Sequence, residues 1–140
     1  MPAVYLDASA LLKRVLPEAE SEALDSFLDR LTESGTPMAS SALAWLEVER
    51  TVRAYAAARP QEPLGNADAV RRSAMSGVHR IPLTNAVLNV AGWVGTHKLK
   101  GLDSIHLASA VLVGATVMVT YDQTLAEAAR TVNLQVEGPS

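Results

Sequence analysis

The sequence contains no cysteine, and it has few aromatic side chains. Aromatic residues make up 4% of its 140 residues, and there are three histidines. The absence of cysteine excludes disulfide bonds, thiolate catalysis and cysteine-based zinc sites, and it suits a reducing cytoplasm. Because 49% of the residues are hydrophobic, the chain can still bury a continuous core, which alanine, leucine and valine must build.

Long apolar runs are missing as well. No stretch approaches the roughly 18 uninterrupted apolar residues of a membrane-spanning helix, so we expect no membrane partner. The amino-terminal segment MPAVYLDASALL has no basic region before its apolar stretch, and Asp7 interrupts that stretch, which argues against a signal peptide. We therefore expect a cytoplasmic protein. The length, without repeats or low-complexity tracts, predicts a single domain over residues 1–140.

An excess of positive charge is also missing, since the formal net charge is −3. The charges are unevenly distributed: residues 34–102 contain eight basic and four acidic residues, whereas the remainder carries four basic and eleven acidic residues. If four of the acids bound two divalent cations, the net charge would change from −3 to +1. The composition thus permits a polyanionic partner without requiring one.

Short apolar runs alternate with longer amphipathic segments, which predicts repeated β-α units around a parallel sheet. The predicted strands lie at about 3–6, 38–40, 78–82, 115–120 and 134–136. The predicted helices lie at about 9–16, 18–34, 41–58, 64–77, 84–98, 103–113 and 122–131. Ser41 is expected to cap the third helix.

Four acidic residues lie beside these predicted elements. They are Asp7 after the first strand, Glu47 within the third helix, Asp103 at the start of the sixth helix and Asp122 after the fourth strand. Ligands of open parallel sheets bind beyond the carboxyl ends of the strands, so an α/β fold would gather these acids at one edge. Oxygen ligands without cysteine favour a hard cation such as Mg²⁺ or Mn²⁺.

Each of these acids also has a purely structural alternative. Asp7, Asp103 and Asp122 could each serve only as a cap or dipole partner at the start of a helix. Glu47 lies four residues after Leu43 on an apolar stripe, although an isolated glutamate on a helix is usually solvated. The pattern alone leaves both interpretations open for all four.

Other side chains near the expected site are ambiguous. His106, one turn into the sixth helix, could orient a water or a phosphate, but packing inside the fold is the preferred interpretation. Lys13 and Arg14 could reach a phosphate or be solvated. Trp45 and Trp93 have core-like spacing and are expected to pack within the protein instead of stacking on bases.

Four segments resemble the motifs of the PIN domain, and more narrowly those of VapC-type ribonuclease toxins from bacterial and archaeal toxin–antitoxin pairs. In chain order they are VYLDASALLK, SSALAWLEVER, GLDSIHLASA and VMVTYDQTLAEAA. The resemblance extends over nearly the whole chain and assigns the family's four acids to Asp7, Glu47, Asp103 and Asp122. The serine that follows the first acid by two residues, Ser9, also fits the family's opening motif.

The resemblance implies a three-layer α/β/α sandwich around a parallel sheet of four or five strands. It also implies an endoribonuclease that depends on Mg²⁺ or Mn²⁺ and cleaves tRNA or ribosomal RNA. The implied protein partners are a cognate antitoxin that covers the acidic groove and a second copy of the toxin in a homodimer. We expect Ser9 and Thr120 to donate hydrogen bonds that hold carboxylates or a phosphate oxygen.

Two other functions remain open. An aspartate phosphotransferase could also place a nucleophilic aspartate after the first strand. However, Ser9 stands where such enzymes carry a second acid, and no lysine clearly follows a later strand. A non-catalytic PIN-fold module that binds RNA or a protein is the second alternative, which four retained acids disfavour. Metal-assisted hydrolysis of RNA is the preferred hypothesis.

Overall fold

Parallel strands form one sheet at the centre of the fold. The computed structural model describes residues 2–62 and 64–140, so Met1 and Pro63 of the expected domain lie outside the described residues. The strands are β1 (Val4–Leu6), β2 (Met38–Ser41), β3 (Val78–Ile81), β4 (Val117–Val119) and β5 (Gln135–Glu137). Their order is β3-β2-β1-β4-β5, with every pair parallel. The direction of the strand order changes between β1 and β4, which is where open α/β sheets bind ligands.

Helices cover both faces of this sheet. In the described ranges they are α1 (Ala8–Leu12), α2 (Ser21–Glu33), α3 (Ala42–Ala58), α4 (Ala67–Ala74), α5 (Asn85–Ala91), α6 (Gly101–Leu112) and α7 (Gln123–Thr131). Buried side chains of α1 to α4 form one core, and those of α5 to α7 form a second. This arrangement confirms the expected three-layer α/β/α fold with a five-stranded parallel sheet. Among the described helices, none has both the length and the apolar character needed to cross a membrane.

The middle strand β1 contributes to both cores because its side chains alternate. Val4 and Leu6 point into the core formed with α1 to α4, whereas Tyr5 points into the core formed with α5 to α7. All three residues are buried. The strand end, and with it Asp7, is therefore held between two packed layers.

The predicted elements all occur, but several end elsewhere. The first predicted helix stops at Leu12, several residues before its expected end. The fifth stops at Ala91, well before 98, because the chain turns at Gly95, whose φ of +78° belongs to the left-handed region. A Cβ at Gly95 would lie 3.0 Å from Leu107, so the turn is also packed tightly against α6. The helix carrying Asp103 begins at Gly101, which places this acid inside the first turn.

The expectation for one tryptophan is wrong. Trp93 lies beyond the end of α5 and is 72% exposed, so it does not pack in a core. Trp45 on α3 is partly buried against the first core, as expected. The early end of α5 explains the difference, because the helical spacing on which the expectation for Trp93 rested does not extend to that residue.

Candidate metal and active site

Asp7 lies at the carboxyl end of β1, where three hydrogen bonds hold its carboxylate. Ser9 Oγ donates to Oδ1 over 2.7 Å, and the backbone N–H of Ala10 donates to the same oxygen over 3.0 Å. Thr120 Oγ1, just beyond β4, donates to Oδ2 over 2.6 Å. Two adjacent strand ends thus converge on one carboxylate, which is 4% exposed.

The environment of Asp7 disfavours its charge. Burial raises the pKa of the Asp7 carboxyl above its ordinary value of 3.8, and the donors from Thr120, Ser9 and Ala10 oppose this shift. A buried carboxylate is costly unless it is paired with a positive charge or bound to a cation. Asp7 therefore has the environment of an acid that would gain from a nearby cation.

Asp122 is connected to Asp7 through the same hydroxyl groups. Thr120 Oγ1 accepts the backbone N–H of Asp122 over 3.0 Å, and Ser9 Oγ accepts the N–H of Tyr121 over 3.0 Å. The Asp122 carboxylate itself accepts the N–H of Leu125 and caps α7. Both Asp7 and Asp122 are therefore helix caps. Capping does not exclude cation binding, because each carboxylate has about four acceptor positions.

Glu47 lies in the second turn of α3 and contacts His106 of α6. Glu47 Oε1 and His106 Nε2 are 2.5 Å apart, and His106 Nδ1 is 2.6 Å from the Tyr5 hydroxyl. His106 has a side chain that is 2% exposed, and that of Glu47 is 27% exposed. Glu47 is therefore not an isolated, solvated glutamate. His106 is buried, as preferred from the sequence, and it also holds one of the four acids.

Asp103 is partly buried in the first turn of α6, where other acids surround it. The pKa of its carboxyl is raised above 3.8, first by burial and then by the negative charge of Asp122. Glu47 and Asp7 add to this rise, whereas His106 opposes it. Asp103 is therefore close enough to the other three acids for their charges to affect its pKa.

The carboxylates are not arranged as a finished metal cage. Within residues 2–62 and 64–140, no three Asp, Glu or His side chains stand close enough together to hold a metal ion as they are. Asp7 is engaged with hydroxyl donors, and Glu47 is engaged with His106. Cation binding would require at least one carboxylate to turn from its present position.

Comparison with known proteins decides the family. A family model described as the PIN domain matches residues 4–131, a range that includes all four acids. The chain belongs to the PIN-domain family. It is 34% identical to Ribonuclease VapC46 of Mycobacterium tuberculosis over 145 aligned positions, which cover 100% of both chains. It is 32% identical to Ribonuclease VapC47 of the same species, over 97% of this chain and 96% of the relative.

Solved structures agree with this PIN-domain assignment at the level of the fold. VapBC2 from Rickettsia felis, bound to a DNA fragment from its promoter, matches with a TM-score of 0.70 and 13% identity over 99% of both chains. Mycobacterium tuberculosis VapC20, a toxin that cleaves the sarcin-ricin loop, matches with a TM-score of 0.65 and 15% identity, over 89% of this chain and 93% of that chain. The VapC-type resemblance carried by the four motifs is confirmed.

Two basic residues of this PIN domain make contacts within the protein. Lys13 Nζ lies 2.5 Å from Glu18 and 3.1 Å from Glu20, and its side chain is 11% exposed. Arg14 donates to the backbone carbonyl oxygens of Ala74 and Ser76, at and just beyond the end of α4, over 2.7 and 2.9 Å. Both residues are half-buried, and they connect the segment that follows α1 to its neighbours.

Sequence reasoning missed the role of Tyr5 in the PIN-domain site. Tyr5 is 0% exposed, and its hydroxyl contacts His106 and the N–H of Ser41. The signal was present in the sequence, because a tyrosine within a buried strand needs a hydrogen-bond partner for its hydroxyl. The sequence did not reveal that the partner is His106, which is 101 residues away.

Proposed function

We propose that this protein is an endoribonuclease that depends on Mg²⁺ or Mn²⁺ and is the toxin of a toxin–antitoxin pair. The observation that carries the proposal is that Asp7 and Asp122 follow the two strands between which the strand order changes direction, and that both bond to the Thr120 hydroxyl. The pKa of Asp103 is raised first by burial and then by the charges of Asp122, Glu47 and Asp7, which supports the proximity of the four acids. Full-length relatives named as ribonucleases support the reaction.

The chemistry of these side chains fits a hard divalent cation. All four supply carboxylate oxygens, the ligands that Mg²⁺ and Mn²⁺ prefer, and their mutual repulsion is what such a cation would neutralise. Asp7, Asp103 and Asp122 would hold the cation, and Glu47 would contact it directly or through water. When bound, such a cation would supply an activated water and would neutralise charge that develops on the scissile phosphate.

The surrounding residues would prepare the acids for this task. Ser9, Thr120 and the N–H of Ala10 fix the orientation of Asp7 through three hydrogen bonds. Asp122 is fixed at the start of α7 by its contact with Leu125. Asp7 and Asp122 are thus held in place beyond the ends of β1 and β4. A cation bound to them would attract the carboxylate of Asp103 on α6.

The relatives support part of the proposed substrate and partners. VapC20 is a toxin that cleaves the sarcin-ricin loop, which supports ribosomal RNA as a substrate class here, whereas tRNA rests on the motif resemblance alone. The VapBC2 complex supports a cognate antitoxin and a toxin–antitoxin hetero-oligomer. We also infer a single domain over residues 1–140, since both cores pack on one sheet. The proposed toxin homodimer and cytoplasmic location rest on the resemblance to VapC-type toxins and on the composition.

A non-catalytic PIN-fold module that binds RNA or a protein is the second candidate. The observation that favours it is the lack, in the described part of the chain, of three carboxylates already arranged around a metal position. Such a module would bind RNA without cleaving it. Cleavage and cation binding therefore have to be measured separately.

The test is cleavage of total cellular RNA by the purified protein with Mg²⁺, with Mn²⁺ and with chelator. We expect discrete products that require metal, and we expect Asp7→Asn to lower the rate by at least about 100-fold because the cation loses a charged ligand. Asp29→Asn makes the same chemical change at an exposed position of α2 and should cleave normally. Normal cleavage by Asp7→Asn would contradict the mechanism. Metal binding without cleavage would favour the binding module.

A further inference from the structure

A chain of hydrogen bonds connects β1 with α3 and α6, the two helices that carry Glu47 and Asp103. Tyr5 lies on β1, and its hydroxyl accepts the backbone N–H of Ser41 over 3.0 Å at the start of α3. The same hydroxyl is 2.6 Å from Nδ1 of His106 on α6, and Nε2 of His106 is 2.5 Å from Glu47 on α3. The imidazole thus bridges α6 to α3.

The direction of these hydrogen bonds can be assigned. Since the Tyr5 oxygen accepts from Ser41, its own proton is free to be donated to Nδ1 of His106. With Nδ1 accepting from Tyr5, Nε2 is the nitrogen of His106 that donates to Glu47. Every donor from the Ser41 backbone onward points toward the Glu47 carboxylate.

We propose that His106, anchored by Tyr5, is a positioning residue that orients the Glu47 carboxylate toward the cation site. The inference rests on the proposed function. His106 occupies Oε1 of Glu47, which leaves Oε2 for the cation or for a water. A long, partly exposed glutamate side chain would otherwise sample several rotamers, and hydrogen bonds of this kind hold metal-ligating carboxylates in place.

The position of His106 on α6 fits this role. His106 follows Asp103 by three residues, so the two side chains lie on the same face of the helix. One face of α6 therefore carries Asp103 and, one turn later, His106, which contacts Glu47 of α3. Tyr5 also precedes Asp7, which follows β1, by two residues, so the two contacts of His106 relate three of the four acid-bearing segments.

Two amide substitutions of His106 separate its two contacts. In His106→Gln, the amide nitrogen takes roughly the place of Nε2 and can still donate to Glu47. In His106→Asn, the shorter amide keeps a partner for Tyr5 but does not reach Glu47. We expect His106→Asn to weaken Mn²⁺ binding by about 10- to 100-fold and His106→Gln to retain most of the affinity, as measured by calorimetry and Mn²⁺ electron paramagnetic resonance.

A control and a double variant exclude a general effect on packing. Ser109 is buried one turn after His106, and its hydroxyl has no hydrogen-bond partner within the described residues. Ser109→Ala should therefore leave the Mn²⁺ affinity unchanged. In a Glu47→Gln background, His106→Asn should cause no further loss, because no charged carboxylate remains to be oriented. A full additional loss in that background would overturn the proposal.

The position of the imidazole proton gives a test that is independent of metal and activity. ¹⁵N chemical shifts of the metal-free protein should show His106 protonated on Nε2, and a proton on Nδ1 alone would overturn the assignment.

If His106→Asn does not fold, Tyr5→Phe removes the anchor and should also weaken Mn²⁺ binding. Wild-type affinity in a folded variant of either kind would refute only the positioning role. A wild-type protein that does not bind Mn²⁺ would instead refute the proposed function, and the positioning role with it.

Discussion

Thr120 connects two of the four acids, and replacing it by valine tests how much that connection stabilises the fold. Its hydroxyl donates to Asp7 over 2.6 Å and accepts the N–H of Asp122 over 3.0 Å. The residue is 3% exposed, so water has little access to replace the hydroxyl. Valine has nearly the same shape as threonine, and the substitution therefore removes hydrogen bonds with little change in packing.

The expected loss follows from these two contacts. A hydrogen bond to a charged group contributes about 1.5–3 kcal/mol, and an N–H left without its partner costs about 1 kcal/mol. We expect Thr120→Val to lower the free energy of unfolding by about 2–4 kcal/mol. For a chain of this length the midpoint of thermal unfolding would fall by about 6–14 °C.

The assay is urea and thermal unfolding of the metal-free protein, followed by circular dichroism in the presence of chelator. Thr120→Ser keeps the hydroxyl and is the matched control, with a loss of about 1 kcal/mol for the missing methyl group. In an Asp7→Asn background, the cost of Thr120→Val should shrink because the acceptor is no longer charged. Wild-type stability of Thr120→Val, or an equal loss in Thr120→Ser, would refute the reasoning.

Three further predictions concern charge. Burial raises the pKa of folded Asp7 above 3.8, so its contribution to stability is full below that pH and is lost as the pH rises through the folded pKa. Asp7→Asn should therefore stabilise the metal-free protein at neutral pH and flatten this dependence in urea titrations across the acidic range. Mg²⁺ at about ten times its dissociation constant should add about 1.4 kcal/mol in thermal unfolding, and much less to Asp103→Asn. Arg14→Met should cost about 1–3 kcal/mol in urea unfolding by leaving two carbonyl oxygens unpaired, whereas exposed Arg130→Met should be neutral.

The positions of Asp7 and Asp122 in the fold could be predicted because both depend on local signals. Asp7 and Asp122 directly follow short apolar runs, and the rule for parallel sheets then brings the two strand ends to one edge. Element ends depend on distant contacts instead. The end of α5 is set by a left-handed glycine, Gly95, that packs against Leu107 of α6 and Ala128 of α7. The sequence of α5 alone does not predict that these two distant residues contact Gly95.

The contact partners of individual side chains could not be predicted from the sequence either. The helical pattern correctly predicted that His106 is buried, but a pattern identifies the face of a helix and not the residue that this face meets. Arg14 shows the same limit, because its acceptor at Ala74 is 60 residues away. A charge that looks solvated in the sequence can thus belong to an internal contact, and only the bonds from Arg14 to the carbonyl oxygens of Ala74 and Ser76 show which it is.

The distribution of burial explains how the metal-free chain tolerates four neighbouring acids. The acid with the least exposure, Asp7, has three donors to offset its desolvation. The Glu47 carboxylate has a hydrogen-bond partner in the buried imidazole of His106. Asp103, whose pKa is raised by burial and then by the other three acids, remains partly open to water, where solvent screens the repulsion. The fold therefore concentrates its hydrogen bonds on the acid that water reaches least.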